Sequence, residues 1–262
     1  MPQSFRAAAS GLSAAGFADC ATVLKVNAPE LWSVLTVETR GCGFLPDRRP
    51  AILFERHIFH KLTNSQFDQK APDLSSATAG GYSGGAREYD RLARAIDLDA
   101  NAAMQSASWG IGQVMGMNFK SAGFGDVASM VAAFCESEDK QLLGVANFMT
   151  ANNLDASLRV HDWPSFARGY NGPDYAKNKY DSLLAGAFLK YSQGPLPDLD
   201  SRRGQLLLTY LGYAPGAIDG VAGKHTTSAM NAFQSKEGLP LTQSFDTKTM
   251  SLLATRVAAL PN

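Results

Sequence analysis

Leu31-Trp32-Ser33-Val34-Leu35-Thr36-Val37-Glu38, followed at once by Thr39-Arg40-Gly41-Cys42-Gly43, is the stretch on which the reading of this chain turns. The first part is an apolar helical run, and Pro29 ahead of it suits the first turn of a helix, where an absent N–H costs nothing. The run breaks into a glycine-rich turn directly after Glu38, which places that carboxyl at the end of a buried helix, half out of water. Burial disfavours the charged form of a carboxyl and raises its pKa, so Glu38 is placed to hold a proton near neutral pH. A general acid needs that property. A single helix-end glutamate is most often a solvated charge, and what sets this one apart is two later segments, residues 106–116 and 167–173.

Working outward, helical spacing of apolar residues predicts further helices over 86–96, 101–106, 113–121, 127–136, 140–150, 163–170 and 175–191. Ala51-Ile52-Leu53-Phe54 follows the turn Asp47-Arg48-Arg49-Pro50 and reads as a short strand. Residues 71–85, with their serines, threonines and glycines, read as a loop. The sum is an α+β fold, mainly helical, with a small β element. Tyr191-Ser192-Gln193-Gly194-Pro195-Leu196-Pro197-Asp198 cannot continue a helix. It divides the chain into a first domain over 1–192, a linker over 193–199 and a small domain over 200–262 with three predicted helices at 201–210, 225–235 and 247–259.

Composition narrows the function classes. The chain has 262 residues, 45% hydrophobic and 18% charged, with 24 basic and 24 acidic side chains. Zero net charge without a basic block gives no electrostatic basis for nucleic-acid binding or for attraction to an anionic membrane. No stretch approaches membrane-spanning length, so no stable membrane insertion is expected, and the N-terminus lacks the apolar core of a signal peptide. Cys20, Cys42 and Cys135 are odd in number and far apart, so neither a disulfide framework nor a zinc site is expected. Cys42 reads as a packing residue. The histidines 57, 60, 161 and 225 show no ligand spacing, and no metal or other cofactor is expected.

Three segments then occur in order: Glu38-Thr39-Arg40-Gly41, Ser106-Ala107-Ser108-Trp109-Gly110-Ile111-Gly112-Gln113-Val114-Met115-Gly116 and Gly169-Tyr170-Asn171-Gly172-Pro173. The trio resembles the lysozyme-like superfamily, goose-type lysozymes and soluble lytic transglycosylases above all. With Phe44-Leu45-Pro46-Asp47, Leu53-Phe54-Glu55-Arg56-His57 and Tyr175-Ala176-Lys177-Asn178 added, the pattern is most similar to the N-acetylmuramidase domain of phage endolysins, over roughly residues 20–190. A second resemblance covers 200–256. Leu211-Gly212-Tyr213, Ile218-Asp219-Gly220, Gly223-Lys224-His225-Thr226, Phe233-Gln234 and Phe245-Asp246-Thr247 are similar to the three-helix peptidoglycan-binding domain. Endolysins of this type often carry that module ahead of the catalytic domain; here it follows.

The resemblance implies hydrolysis of the β-1,4 bond between N-acetylmuramic acid and N-acetylglucosamine in peptidoglycan, leading to host lysis, with glycan strands as the partner and a monomeric enzyme. It also implies a protein that waits in the host cytoplasm until a separate pore-forming protein releases it. Glu38 is expected to protonate the leaving oxygen. The glycines before Gln113 allow close backbone approach to a sugar, and the Gln113 amide offers donors and an acceptor to an N-acetyl or hydroxyl group. Tyr170 is expected to aim its hydroxyl at Glu38 or at the N-acetyl group, and Asn171 shares its segment and the implied substrate contact. A second carboxylate is needed unless the substrate's own group closes the ring, as in lytic transglycosylases. Glu55, at the end of the strand, is the candidate, with an ion pair to neighbouring Arg56 or His57 as its alternative role; Asp47 ranks below it. A non-catalytic wall-binding protein is the reading from a different class. In the small domain, Leu211, Ile218, Ala229, Phe233 and Leu239 are expected to form the core, with Phe233 and Gln234 structural first.

Overall fold

The computed structural model describes residues 4–39 and 41–261. Helices dominate. Helix α1 (Ala14–Leu24) starts at Ser13, whose hydroxyl accepts the Gly16 amide at 3.0 Å. Helix α2 (Ala28–Glu38) carries Pro29 in its first turn, and Glu30 reaches back to accept the Asn27 amide at 3.1 Å. Its buried face, Leu31, Trp32, Val34 and Leu35, stops short of Glu38, which is half-buried as the last helical residue.

The β element is a three-stranded antiparallel sheet of β1 (Ile52–Phe54), β2 (Ala107–Trp109) and β3 (Val114–Met115), in register Ile52↔Trp109 and Ser108↔Met115. The helix expected over 113–121 is therefore replaced by β3 and a 3-10 turn, Gly116–Asn118. The turn Gly110–Gln113 needs positive φ at Gly110 and Gln113, a hairpin requirement that helical periodicity does not register.

Between β1 and β2 run α3 (Arg56–Leu62), α4 (Glu88–Ile96) and α5 (Ala100–Gln105). Beyond the sheet come α6 (Val127–Glu136), α7 (Glu138–Ala151), α8 (Leu154–Arg159) and α9 (Trp163–Asn171). The helix expected over 175–191 is split. A 3-10 turn, Tyr175–Asn178, meets Lys179 in left-handed conformation before α10 (Tyr180–Gln193). Helix α2 packs on α10, where Thr36 Oγ1 and Tyr191 OH lie 2.8 Å apart, and α1 packs on α7.

The C-terminal helices are α11 (Leu199–Tyr210), α12 (Lys224–Lys236) and α13 (Thr247–Ala258). Asp198 caps α11 through the Ser201 amide at 2.6 Å, so the helix begins within the stretch read as linker. Ala229 and Phe233 are buried as expected, but Leu211, Ile218 and Leu239 lie at the edge. The centre is Leu206, Leu208, Met230, Leu253 and Val257. Gln234 is fully buried and donates to Thr242 and Thr249 at 2.8 and 2.9 Å. Two residues from the first part of the chain, Ala9 and Phe44, belong to this same cluster.

Candidate active site

Glu38 ends α2 where the helix has no remaining N–H to offer it. The aligned carbonyls at a helix C-terminus repel negative charge, and removal from water acts in the same direction. Burial pushes the carboxyl up to about 7, against a smaller opposite pull from Asn171. Asn171 Nδ2 donates to Glu38 Oε1 at 2.9 Å. It is the last residue of α9, whose continuation stops at Gly172, held at φ +82°. Among the described residues no cation pairs with Glu38.

Tyr170 sits beside this pair with a different role from the one expected. Its hydroxyl donates to the Gly112 carbonyl at 2.9 Å, not to Glu38. Burial, reinforced by the Glu38 charge, raises its phenol well above the ordinary range, so it stays a neutral donor. Tyr170 thereby ties the end of α9 to the β2–β3 turn.

Gln113 also departs from expectation. Its Nε2 donates to Gly110 O at 2.8 Å and Ala51 O at 3.1 Å, and its Oε1 accepts the Ser108 hydroxyl at 2.9 Å. Both amide hydrogens are used inside the protein, and the side chain fixes the hairpin turn. Gln113 closes the turn in left-handed conformation, at φ +49°.

Glu55 follows β1 and precedes α3. Tyr82 OH donates to it at 2.9 Å, and His57 Nδ1 lies 3.2 Å from Oε2 at an angle unsuited to a hydrogen bond. Arg56 is not its partner; that guanidinium holds the 76–85 loop through the carbonyls of Thr78 and Ala79, at 2.7 and 3.2 Å. Asp47 is engaged by Arg49 at 2.6 Å. The structure thus joins Glu38 to Asn171 and Tyr170 to the hairpin turn, and sets Glu55 in a separate cluster with Tyr82 and His57. Trp109 is fully buried, with its indole donating to Met104 O at 3.0 Å, while Tyr82 is exposed.

Two residues that sequence reasoning passed over hold the glycine turns in place. Gln141 Oε1 accepts the Ile111 amide at 2.7 Å, and its Nε2 donates to Phe134 O at 2.8 Å. A Cβ on Gly43 would lie 1.8 Å from Gln141 Oε1, so only glycine fits there. Glu138, fully buried, accepts the amides of Leu12 and Gly43, both at 2.8 Å, and both its oxygens are held by Arg202. Burial alone would lift this carboxyl, but the Arg202 charge and the backbone amides outweigh it and hold it below the ordinary range. The one sequence signal was Ser137-Glu138, a helix start, which ordinarily leaves its glutamate in water. At Cys42 burial prevails instead and pushes the thiol well above the ordinary range.

A family model described as N-acetylmuramidase matches residues 27–192, and one described as a putative peptidoglycan binding domain matches residues 199–253. Among solved structures, the crystal structure of Burkholderia AP3 phage endolysin is similar at 40% identity and a TM-score of 0.67. That match covers 70% of this chain and 71% of that one. No curated protein matches.

Proposed function

The chain belongs to the N-acetylmuramidase family, and we propose that it cleaves the β-1,4 bond between N-acetylmuramic acid and N-acetylglucosamine, with Glu38 as the proton donor. As a member of that family it is a glycoside hydrolase with a lysozyme-like catalytic fold, and its second module matches peptidoglycan-binding domains. One observation carries the assignment of the acid. Glu38 is a half-buried carboxyl at a helix C-terminus with a neutral amide as its hydrogen-bond partner, pushed up to about 7. Near neutral pH such a group is about half protonated, and it gives up its proton to a leaving glycosidic oxygen at little cost.

In this reading Asn171 orients the carboxyl through Oε1, which leaves Oε2 to carry the proton. Once the proton has left, the same amide stabilises the carboxylate. Glu55 is the candidate second carboxylate, held by Tyr82. The engagement of both Glu55 and Asp47 by neighbours supports a second reading, lytic transglycosylase chemistry, in which the muramic acid's own hydroxyl closes an anhydro ring and no second carboxylate is required. The C-terminal module keeps the enzyme on the polymer and raises the local concentration of scissile bonds. The biological setting is host lysis late in a phage cycle, with a separate pore-forming protein giving access to the wall.

Mass spectrometry of the digested wall separates the chemistries. Reducing muramic acid ends are expected, and 1,6-anhydromuramic ends would replace the hydrolase reading with the transglycosylase one. Glu38→Gln is expected to abolish clearing of wall suspensions while still sedimenting with them. Undiminished clearing by this variant would remove Glu38 from the mechanism.

A further inference from the structure

We propose that Arg202, on the first helix of the C-terminal module, is a positioning residue for the proton donor, so that the module forms part of the catalytic apparatus and does more than tether it. The proposal rests on the assignment of Glu38 as the acid.

The loop that leaves Glu38 is held from outside its own domain. Arg202 Nη2 donates to the Gly41 carbonyl at 2.5 Å, three positions after Glu38, and the same nitrogen donates to Glu138 Oε1 at 2.9 Å. Nη1 donates to the other Glu138 oxygen. Glu138 in turn accepts the Gly43 amide at 2.8 Å. The guanidinium and the carboxylate thus grip the loop at alternate residues, one by its carbonyl and one by its N–H. Phe44, the next residue, packs into the hydrophobic cluster of the C-terminal helices with Leu206 and Tyr210.

Within its own part of the chain the loop is held by the Gly41 amide donating to Thr39 Oγ1 at 3.2 Å and by Gly43 O accepting the Ala51 amide at 2.8 Å, and on the module's side it borders a void. A cavity of about 170 Å³, lined in part by Leu35, Thr39, Gly41, Arg202 and Ile218, lies between the end of α2 and the module. Gly41 itself sits at φ +85°. Packing leaves a void beside the Gly41 carbonyl, and it is Arg202 that holds that carbonyl in place there. Arg202 is only 3% exposed, and its fork geometry is what allows one nitrogen to serve both the carboxylate and the carbonyl. A flexible tether would require none of these contacts.

The test uses the full-length enzyme on a soluble, uncrosslinked oligomer of alternating N-acetylglucosamine and N-acetylmuramic acid, for which tethering to a wall is irrelevant. Arg202→Lys keeps a charge beside Glu138 but loses the fork to Gly41. The double variant R202M/E138Q removes both buried charges together, so neither is left unpaired. Both are expected to lower kcat about tenfold or more with KM within twofold, to move the alkaline limb of the pH profile, and to sediment with cell walls as the parent does. Tyr210→Phe removes the module's hydrogen bond to Ala9 O and leaves the grip on Gly41 intact, so its kcat is expected to stay within twofold of the parent. All assays run well below each variant's thermal midpoint.

Unchanged kcat in either Arg202 variant would overturn the proposal, as would an equal loss in Tyr210→Phe or a loss confined to wall binding. Glu38→Gln assayed alongside keeps the two claims apart. An inactive Glu38→Gln with a fully active Arg202→Lys removes only the positioning role, whereas an active Glu38→Gln removes the acid assignment on which it rests.

Discussion

Glu38 and Glu138 are two carboxyls withdrawn from water at opposite ends of their helices, and they are driven in opposite directions. Glu38 closes α2, where the helix presents carbonyls, and its partner among the described residues is the neutral Asn171 amide. Glu138 opens α7, where the helix presents N–H groups, and it is surrounded by Arg202 and two backbone amides. The first is pushed up to about 7 and the second is held below the ordinary range. Burial is common to both; helix polarity and the partners decide the sign. One carboxyl is left able to exchange a proton near neutrality, and the other is fixed as a permanent anion that organises three segments of the chain.

The comparison can be broken most severely at the acid. Glu38→Gln is expected to reduce kcat by about 10²–10⁴-fold, the usual worth of a general acid, measured by release of reducing ends. Glu138→Ala is expected to cost stability more than any single change at Glu38. It leaves the Arg202 charge buried without its partner, a loss of about 3–5 kcal/mol that lowers the thermal midpoint by roughly 10 °C. If the midpoint does not move, the pair is not buried in solution.

The stability of Glu38→Gln should carry the opposite sign and depend on pH. A carboxyl whose pKa is raised in the folded state binds more protons there than in the unfolded chain. Its contribution is complete below the unfolded value of about 4.3 and is lost as pH rises through about 7. Replacing it by a neutral amide is therefore expected to stabilise the fold at pH 8 by about 1–2 kcal/mol after allowance for its partial exposure, read as a higher thermal midpoint. Little change is expected at pH 4. Equal midpoints at both pH values would mean that the folded carboxyl is not perturbed. The smallest effect is expected at Asn171. Because its amide favours the charged form, Asn171→Ala should move the alkaline limb of the pH–rate profile upward, by about one unit at most; a downward shift would reverse the assigned role of the bond.

How much of this was legible in the sequence follows the range of the forces involved. Helices over 127–136 and 163–170 were readable because their apolar spacing and capping residues lie within a few turns. The hairpin at 107–115 was missed because its apolar residues suit a helix equally well, and positive φ at Gly110 and Gln113 is set by pairing with β1. Glu38 and Asn171 were both marked by their segments, far apart in sequence, and the fold joins them. Gln113 and Tyr170 were picked out as notable residues, but each turned inward to the same turn. Gln141 and Arg202 carried no local signal, and the helix start at Ser137-Glu138 pointed only to a solvated glutamate. A polar side chain at a helix surface is read as solvated until a distant segment is found to cover it. Here the cover comes from opposite ends of the chain.

The central claim is that Glu38 holds its proton near neutral pH, and a carbon-13 NMR titration of the glutamate side-chain carboxyls, with the Glu38 signal identified by its loss in Glu38→Gln, tests it most directly. A midpoint close to 7 is expected. A midpoint near the ordinary glutamate value of about 4.3 would contradict the account, because a carboxyl ionised throughout the neutral range has no proton to give.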